Sequence, residues 1–331
     1  VLVLFYFNNL IFTEFKYQGN TSYKNVLLQS SSVQSVYYEK RKSWITSKLG
    51  SILFKNEEFP ELREDFANIT YVILIWKRHD PLEECSVKNC IFSGDDSLLN
   101  TADAVVVHLH TALIPHTDNR SPFQRWIFLD DESPVNSFSQ AQKKPTLSDA
   151  DIPVPYGRTI AFQTPYPSTQ PISELVPNWE IKRRDVLANI LISNCGIPYR
   201  TTVIEELKTL LGLHVYGGCA LENTKCKEYI TEKLYHHAYS RGAIPIIQGP
   251  SIEDCERLLP PNSYLHLDNY ATLEDLAKDV KDISESNERL TSFHMWRYNF
   301  NAKNEHAYFG TKSYHLCRLC EAMNYNDKTT H

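Results

Sequence analysis

Two Rossmann-like α/β domains facing a cleft are the architecture this sequence predicts, and three observations predict it. Apolar runs of strand length recur in both halves of the 331-residue chain. In the second half they alternate with amphipathic helical patterns, which is the rhythm of a doubly wound parallel sheet. A proline-rich stretch separates the halves. The chain is long enough to bury two cores. A hydrophobic fraction of 42% and a charged fraction of 22% are ordinary for a soluble globular protein. A net charge of −6 gives no electrostatic case for a nucleic-acid partner, so any anionic ligand must be met by a local cluster.

Residues 1–12, VLVLFYFNNLIF, are apolar except for Asn8 and Asn9. They are too short to span a bilayer. They read as the remnant of a truncated signal-anchor helix or, on the plainer reading, as an apolar strand. Residues 13–69 are polar and irregular, with a serine run at 30–32, and read as a stem or lead-in. From Tyr71 the pattern changes. YVILIWK (71–77), AVVVHLH (104–110) and RWIFLD (125–130) are continuous apolar runs. Such runs predict parallel strands covered on both faces. A short helix is expected over 98–102. Pro145, Pro153, Pro155, Pro165, Pro167, Pro171 and Pro177 mark a linker, with the domain boundary near its end. This assigns 70–175 to an N-terminal, acceptor-side domain with its linker, 176–300 to a C-terminal nucleotide-binding domain, and 301–331 to a tail.

The second domain alternates cleanly. A strand is expected over 187–193, then a helix over 201–211 with Val203, Leu207, Leu210 and Leu211 inward, then a strand over 213–216. In 228–250, EYITEKLYHHAYSRGAIPIIQGP, Ile230, Leu234 and Ala238 give a helix one apolar face. Gly242 ends it. Ile244 to Ile247 form a buried strand before the Gly249-Pro250 turn. A strand over 263–267 follows. Thr272 then caps a helix that turns Leu273, Leu276, Val280 and Ile283 inward. Two such domains in tandem form the GT-B arrangement of nucleotide-sugar transferases. No Gly-x-Gly-x-x-Gly or P-loop pattern is present, which disfavours dinucleotide oxidoreductases and P-loop kinases. No His-Glu-x-x-His or isolated Asp-x-Asp supports a metal-dependent mechanism.

Several residues carry candidate chemistry. Glu232 and Lys233 stand at a helix start, where free N–H groups and the dipole favour an anion such as a sugar-nucleotide diphosphate. Asp130-Asp131-Glu132 follow a strand directly, and ligands gather beyond the carboxyl ends of strands. Repulsion among three acids suits Glu132 to act as a general base. Arg200 lies between a strand end and a helix start, a phosphate position. Glu222, Asn223 and Tyr229 offer groups for sugar hydroxyls and stacking. His108 and His110 share one face of a strand and could line the acceptor side. The plain alternatives are a solvated acidic turn, a surface arginine, a solvated Glu–Lys face and a core histidine. Eight cysteines, with a paired Cys85/Cys90, a terminal Cys317-x-x-Cys320 and sequons at Asn20, Asn68 and Asn119, favour an oxidising secretory compartment. Zinc at Cys317 and Cys320 would need two further ligands and is disfavoured.

The segments ALENTKCKEYITEKL and GAIPIIQGPS resemble the α1,3/α1,4-fucosyltransferases, inverting GT-B enzymes that use GDP-fucose. RWIFLDDESPVN, SDADIPVPYG (148–157) and SNCGIPYRTTVIEEL extend the resemblance over about residues 70–300. By position it implies Glu132 as the general base and Arg200 and Lys233 as diphosphate ligands. It implies Asn223, Tyr229 and Glu232 as further GDP-fucose contacts, with Glu222 beside them. It implies a GlcNAc-containing glycan as acceptor and an α1,3 linkage. No cofactor is required, with Mn2+ able at most to stimulate. The family is type II in the Golgi membrane, with a lumenal catalytic domain, N-glycans and disulfides. There are two departures. Leu221 stands where the family has phenylalanine, and Gly217-Gly218-Cys219 runs almost straight into Ala220, where the family has a sizeable block with most of another strand. The C-terminal domain is therefore expected to lack part of a strand. This leaves a second reading, an inactive relative of the same family, beside that of another GT-B nucleotide-sugar transferase.

Overall fold

The computed structural model describes residues 3–7, 69–77, 88–109, 113–130, 155–162, 164–182, 186–191, 198–216, 230–305 and 315–325. Its strands, in chain order, are β1 Val3–Phe7, β2 Tyr71–Ile75, β3 Cys90–Ser93, β4 Ala104–His108, β5 Arg125–Leu129 and β6 Gly157–Ala161. β7 Ala188–Leu191, β8 His214–Tyr216, β9 Ile244–Gln248, β10 Leu265–His266 and β11 Phe300–Asn304 follow. The chain divides into two compact units, an N-terminal unit of residues 47–156 and 305–331 and a C-terminal unit of 1–46 and 157–304.

The N-terminal unit holds a parallel sheet in the order β3-β2-β4-β5. The inner strands β2 and β4 are apolar throughout because both their faces are covered, while the edge strands β3 and β5 leave Ile91 and Phe128 exposed. On one face, Ile73, Ile75, Ala104 and Val106 pack against Leu316, Leu319 and Met323 of the His315–Tyr325 helix. On the other, Leu74, Val105 and Val107 meet Ala102, Leu98 and Leu99. The helix expected at 98–102 is a 3-10 turn, Asp96–Asn100, capped by Asp95 accepting from the Ser97 N–H at 2.9 Å.

The C-terminal unit has a five-stranded parallel sheet, β10-β9-β1-β7-β8. Ala188, Ile190, Ile244 and Ile246 share one core with Val203, Leu207 and Leu211 of the Pro198–Leu211 helix and Leu276, Val280 and Ile283 of the Leu273–Glu285 helix. Ile247 turns to the opposite core, with Ile230, Leu234, Tyr235, Tyr239, Trp296 and Phe300. Burying each such aliphatic side chain fully is worth about 1.5–3 kcal/mol. Thr272 caps as expected, its Oγ1 accepting from the Asp275 N–H at 3.1 Å.

Four expectations are corrected or narrowed. First, the boundary is not near 175 but at 156/157. Gly157–Ala161 pairs antiparallel with Phe300–Asn304, which draws it into the C-terminal unit. The described part of the proline-rich stretch is consequently folded rather than linking. The Phe162 and Tyr166 N–H groups donate to Asn299 and Tyr298 carbonyls, and Tyr298 OH donates to Gln170 O at 2.6 Å. Second, 301–331 is not one tail, because β11 belongs to the C-terminal unit and the His315–Tyr325 helix to the N-terminal one. Third, of the two readings of residues 1–12, Val3–Phe7 takes the strand one, and it is the central strand of a sheet. Its backbone pairs in parallel on one side with Ala188–Ile190 and on the other with Ile244–Gln248. Fourth, Cys90 is bonded to Cys320, not to Cys85. Cys317 is also in a disulfide, which removes both thiols from any zinc site. Among the described residues no helix is long and apolar enough to cross a membrane.

Candidate active site

The stretch that leads into β9 positions the clearest part of the site. Residues 232–241 are helical, and Lys233–Ala238 within them is wound as a π-helix. The Tyr239 N–H reaches both the Leu234 and Tyr235 carbonyls, the i−5 and i−4 positions. Such windings recur at functional sites. Gly242, at φ 68°, ends the helix. A Cβ there would lie 2.4 Å from the Pro177 carbonyl oxygen. Ten helical residues rise about 15 Å, and the five of β9 about 16 Å. The helix start therefore stands level with the carboxyl edge of the sheet.

Glu232 and Lys233 are at that start. Glu232 is 5% exposed, and the Lys233 Nζ donates to its Oε1 at 2.9 Å. The fully solvated Glu–Lys face is thereby excluded, because Glu232 is buried and Lys233, half-buried, lies in contact with it. A buried pair costs desolvation that its own attraction barely offsets, so it is weak evidence for stability. It does place a cation and a carboxylate side by side at an edge where an anion and a hydroxyl can be met together.

His236 and His237 lie one turn further on, with ring centroids 4.8 Å apart. Burial, then the neighbouring His236, pushes the His237 imidazole down to about 4, against the pull of Glu232. His236 is lowered too, by burial first and then by Arg241. Both are neutral at physiological pH and can donate or accept without adding charge. Sequence reasoning missed them. The signal was their i+4 and i+5 spacing from Glu232, which an i→i+5 ladder brings to one face.

The far end of this helix is braced by cations, as its dipole favours. Lys182 Nζ donates to the Gly242 and Arg241 carbonyls at 2.7 and 3.1 Å, and Arg297 donates to the Tyr239 carbonyl at 2.7 Å. Burial, then Arg297, lowers Lys182 to about 8. Burial, then Arg297 and Lys182, lowers His294 to about 3.

After β9, the Gly249-Pro250 turn is held by the fully buried His266. Its Nε2 pairs with Pro250 O at 2.9 Å while Nδ1 accepts from the Asp268 N–H at 3.2 Å. Those partners require the proton on Nε2. The same contact bends the chain, and the strand expected over 263–267 shortens to Leu265–His266. Gln248, buried at the strand end, joins this edge.

Arg200 lies in the first turn of the Pro198–Leu211 helix, just beyond the carboxyl end of β7. That is the edge at which Glu232 and Lys233 stand. Glu222, Asn223 and Tyr229 lie outside the described residues. In the N-terminal unit, His108 ends β4 opposite Leu129 of β5, so it shares a sheet edge with the segment that leads to Glu132. His108 is only 6% exposed. Glu132 and His110 lie outside the described residues.

Two family profiles match the chain, one at each end. Fucosyltransferase, N-terminal, matches residues 68–157, and Glycosyltransferase family 10 (fucosyltransferase) C-term matches residues 219–331. Together they span more than half of it. The 4-galactosyl-N-acetylglucosaminide 3-alpha-L-fucosyltransferase 9 of Canis lupus familiaris is 28% identical, over 80% of this chain and 82% of that protein. Its counterpart in Bos taurus is 29% identical over the same shares. Among solved structures, an alpha1,3-fucosyltransferase is similar at 12% identity and a TM-score of 0.41, over 85% of this chain and 96% of its own. An alpha1,3-fucosyltransferase with GDP-fucose is similar at 12% identity and a TM-score of 0.38, over 82% and 94%. The chain belongs to glycosyltransferase family 10, the fucosyltransferases.

Proposed function

We propose that the protein transfers L-fucose from GDP-fucose to a GlcNAc hydroxyl of a glycan, in α1,3 linkage and with inversion at the anomeric carbon. The observation that carries this reading is the buried Glu232–Lys233 pair at the start of the π-wound helix, inside the matched C-terminal block. Lys233, with Arg200 from the adjacent helix start, neutralises the diphosphate as its bond to the anomeric carbon breaks and charge develops on the leaving oxygen. Glu232, Asn223 and Tyr229 hold the rest of the donor. Glu132 takes the proton of the acceptor hydroxyl, whose oxygen attacks from the face opposite GDP. The enzyme works on the lumenal side of the Golgi membrane. The Cys90–Cys320 disulfide supports an oxidising compartment.

The test is transfer from GDP-fucose to a panel of GlcNAc-containing acceptors, alongside calorimetric GDP binding. Glu132→Gln should lower turnover at least about 100-fold and leave GDP affinity unchanged. Full turnover in that variant would overturn the base assignment. GDP binding with no transfer to any acceptor would mark an inactive relative, and neither binding nor transfer would overturn the reading altogether.

A further inference from the structure

The centre of the C-terminal unit's sheet comes from the part of the sequence most remote from the rest of that sheet. β1 lies between β7 and β9 and runs parallel to both. Val3, Leu4 and Phe5 stand level with Ala188, Asn189 and Ile190, and Val3 to Phe7 with Ile244 to Gln248. β7 and β9 are not neighbours. Without β1 each would present a row of unpaired backbone N–H and C=O groups to the other.

We propose that the C-terminal unit contains a strand-accepting slot between β7 and β9, and that its occupant is this chain's own apolar segment, residues 3–7. The slot takes an extended segment that hydrogen-bonds along both sides, as VLFYF does here. Filling it fixes β9 and the π-wound helix, so nucleotide binding depends on it; that clause rests on the donor-site reading above.

Hydrogen exchange on the intact protein, with and without Leu4→Pro, tests the slot. Proline removes a ladder N–H and is excluded from central strands. In the wild type, residues 3–7 should be protected as strongly as 244–248. In Leu4→Pro, protection should fall at 3–7, 188–191 and 244–248 together, while 71–75 and 104–108 keep theirs. Rapid exchange at 3–7 in the wild type, or unchanged protection of 188–191 and 244–248 in the variant, would overturn the proposal. A Phe5→Cys/Ile246→Cys pair gives a second, folding-tolerant readout: a cross-link within one chain is expected, and a link only between two chains would overturn the assignment of the occupant. GDP affinity should drop at least tenfold in Leu4→Pro, and an unchanged affinity would overturn the dependence. A wild type that shows the protection but binds no GDP would leave the slot intact and remove only the donor-site reading.

Discussion

In the N-terminal unit all four strands come from one continuous stretch, 71–129, and what closes the core arrives from the far end of the chain. That element, the His315–Tyr325 helix, is fastened by specific links that include a disulfide from Cys320 to Cys90, a buried ion pair from Arg318 to Glu305, and paired amides between Asn324 and Asn89. In the C-terminal unit it is the central strand that arrives from far away, and β1 is held to its neighbours by two backbone ladders. The contrast teaches where each unit is vulnerable. The N-terminal unit depends on a few specific side-chain links at its cover. The C-terminal unit depends on backbone pairing and on the fit of the layers over its sheet.

The largest effect should come from Arg318→Ala. Removing one member of a fully buried pair takes from Glu305 its buried counter-ion, at a cost of about 3–5 kcal/mol. Urea unfolding should show the loss, and hydrogen exchange should confine it to the N-terminal unit. Cys320→Ser comes next, with a loss of about 2–4 kcal/mol in the same unit. An equal loss of protection at 244–248 in either variant would erase the contrast.

Gly157→Ala probes the other unit. Its Cβ would lie 2.3 Å from Tyr235 Cγ and 2.6 Å from the Lys303 carbonyl oxygen. The ring is buried and the oxygen belongs to the β11 ladder, so neither yields easily. The expected cost is about 1–3 kcal/mol, read as a lower urea midpoint for the C-terminal unit. Tyr235 sits on the helix that starts at Glu232 and Lys233, so GDP affinity should weaken as well.

Acid sharpens the same comparison. His237 and His294 have folded pKa values of about 4 and about 3, both below the unfolded value of about 6.5. The unfolded chain therefore takes up more protons across that window. Their contribution is complete above about pH 6.5 and is lost as pH falls towards 4, at up to about 1.4 kcal/mol per pH unit for each histidine. Urea midpoints between pH 7.5 and 5 should fall for the C-terminal unit, and His237→Asn should flatten the slope. A pH-independent midpoint would contradict the burial assigned to these rings.

Where sequence pattern and local burial agree, the fold was legible. The runs at 71–75 and 104–108 are strands because continuous apolar residues can be buried on two faces, and 125–129 joins them as a half-buried edge strand. Thr272, Leu276, Val280 and Ile283 cap and line their helix as their spacing requires. What was not legible depends on remote partners. β6 and β11 carry Arg158, Thr159, Asn301 and Lys303, and only their mutual pairing makes them strands. Nothing local told Val3–Phe7 that its neighbours would be residues 188–190 and 244–248. The π winding was hidden because Ile230, Leu234 and Ala238 fit an α-period equally well. At the site, sequence singled out Glu232 and Lys233 but saw them as adjacent charges, and their burial against each other emerged only from packing. His237 was passed over because an imidazole beside another imidazole has no signature until burial makes it neutral.

The claim on which the account turns is that the helix start at Glu232 and Lys233 receives the diphosphate of GDP-fucose. Titration calorimetry of GDP into the wild type and into Lys233→Gln tests it most directly, since glutamine keeps a donor for Glu232 while removing the charge. The wild type should bind, and the variant should bind about 10- to 100-fold more weakly, the loss of one charge-assisted contact to phosphate. Equal affinity in the two proteins, or no binding by either, would contradict the account.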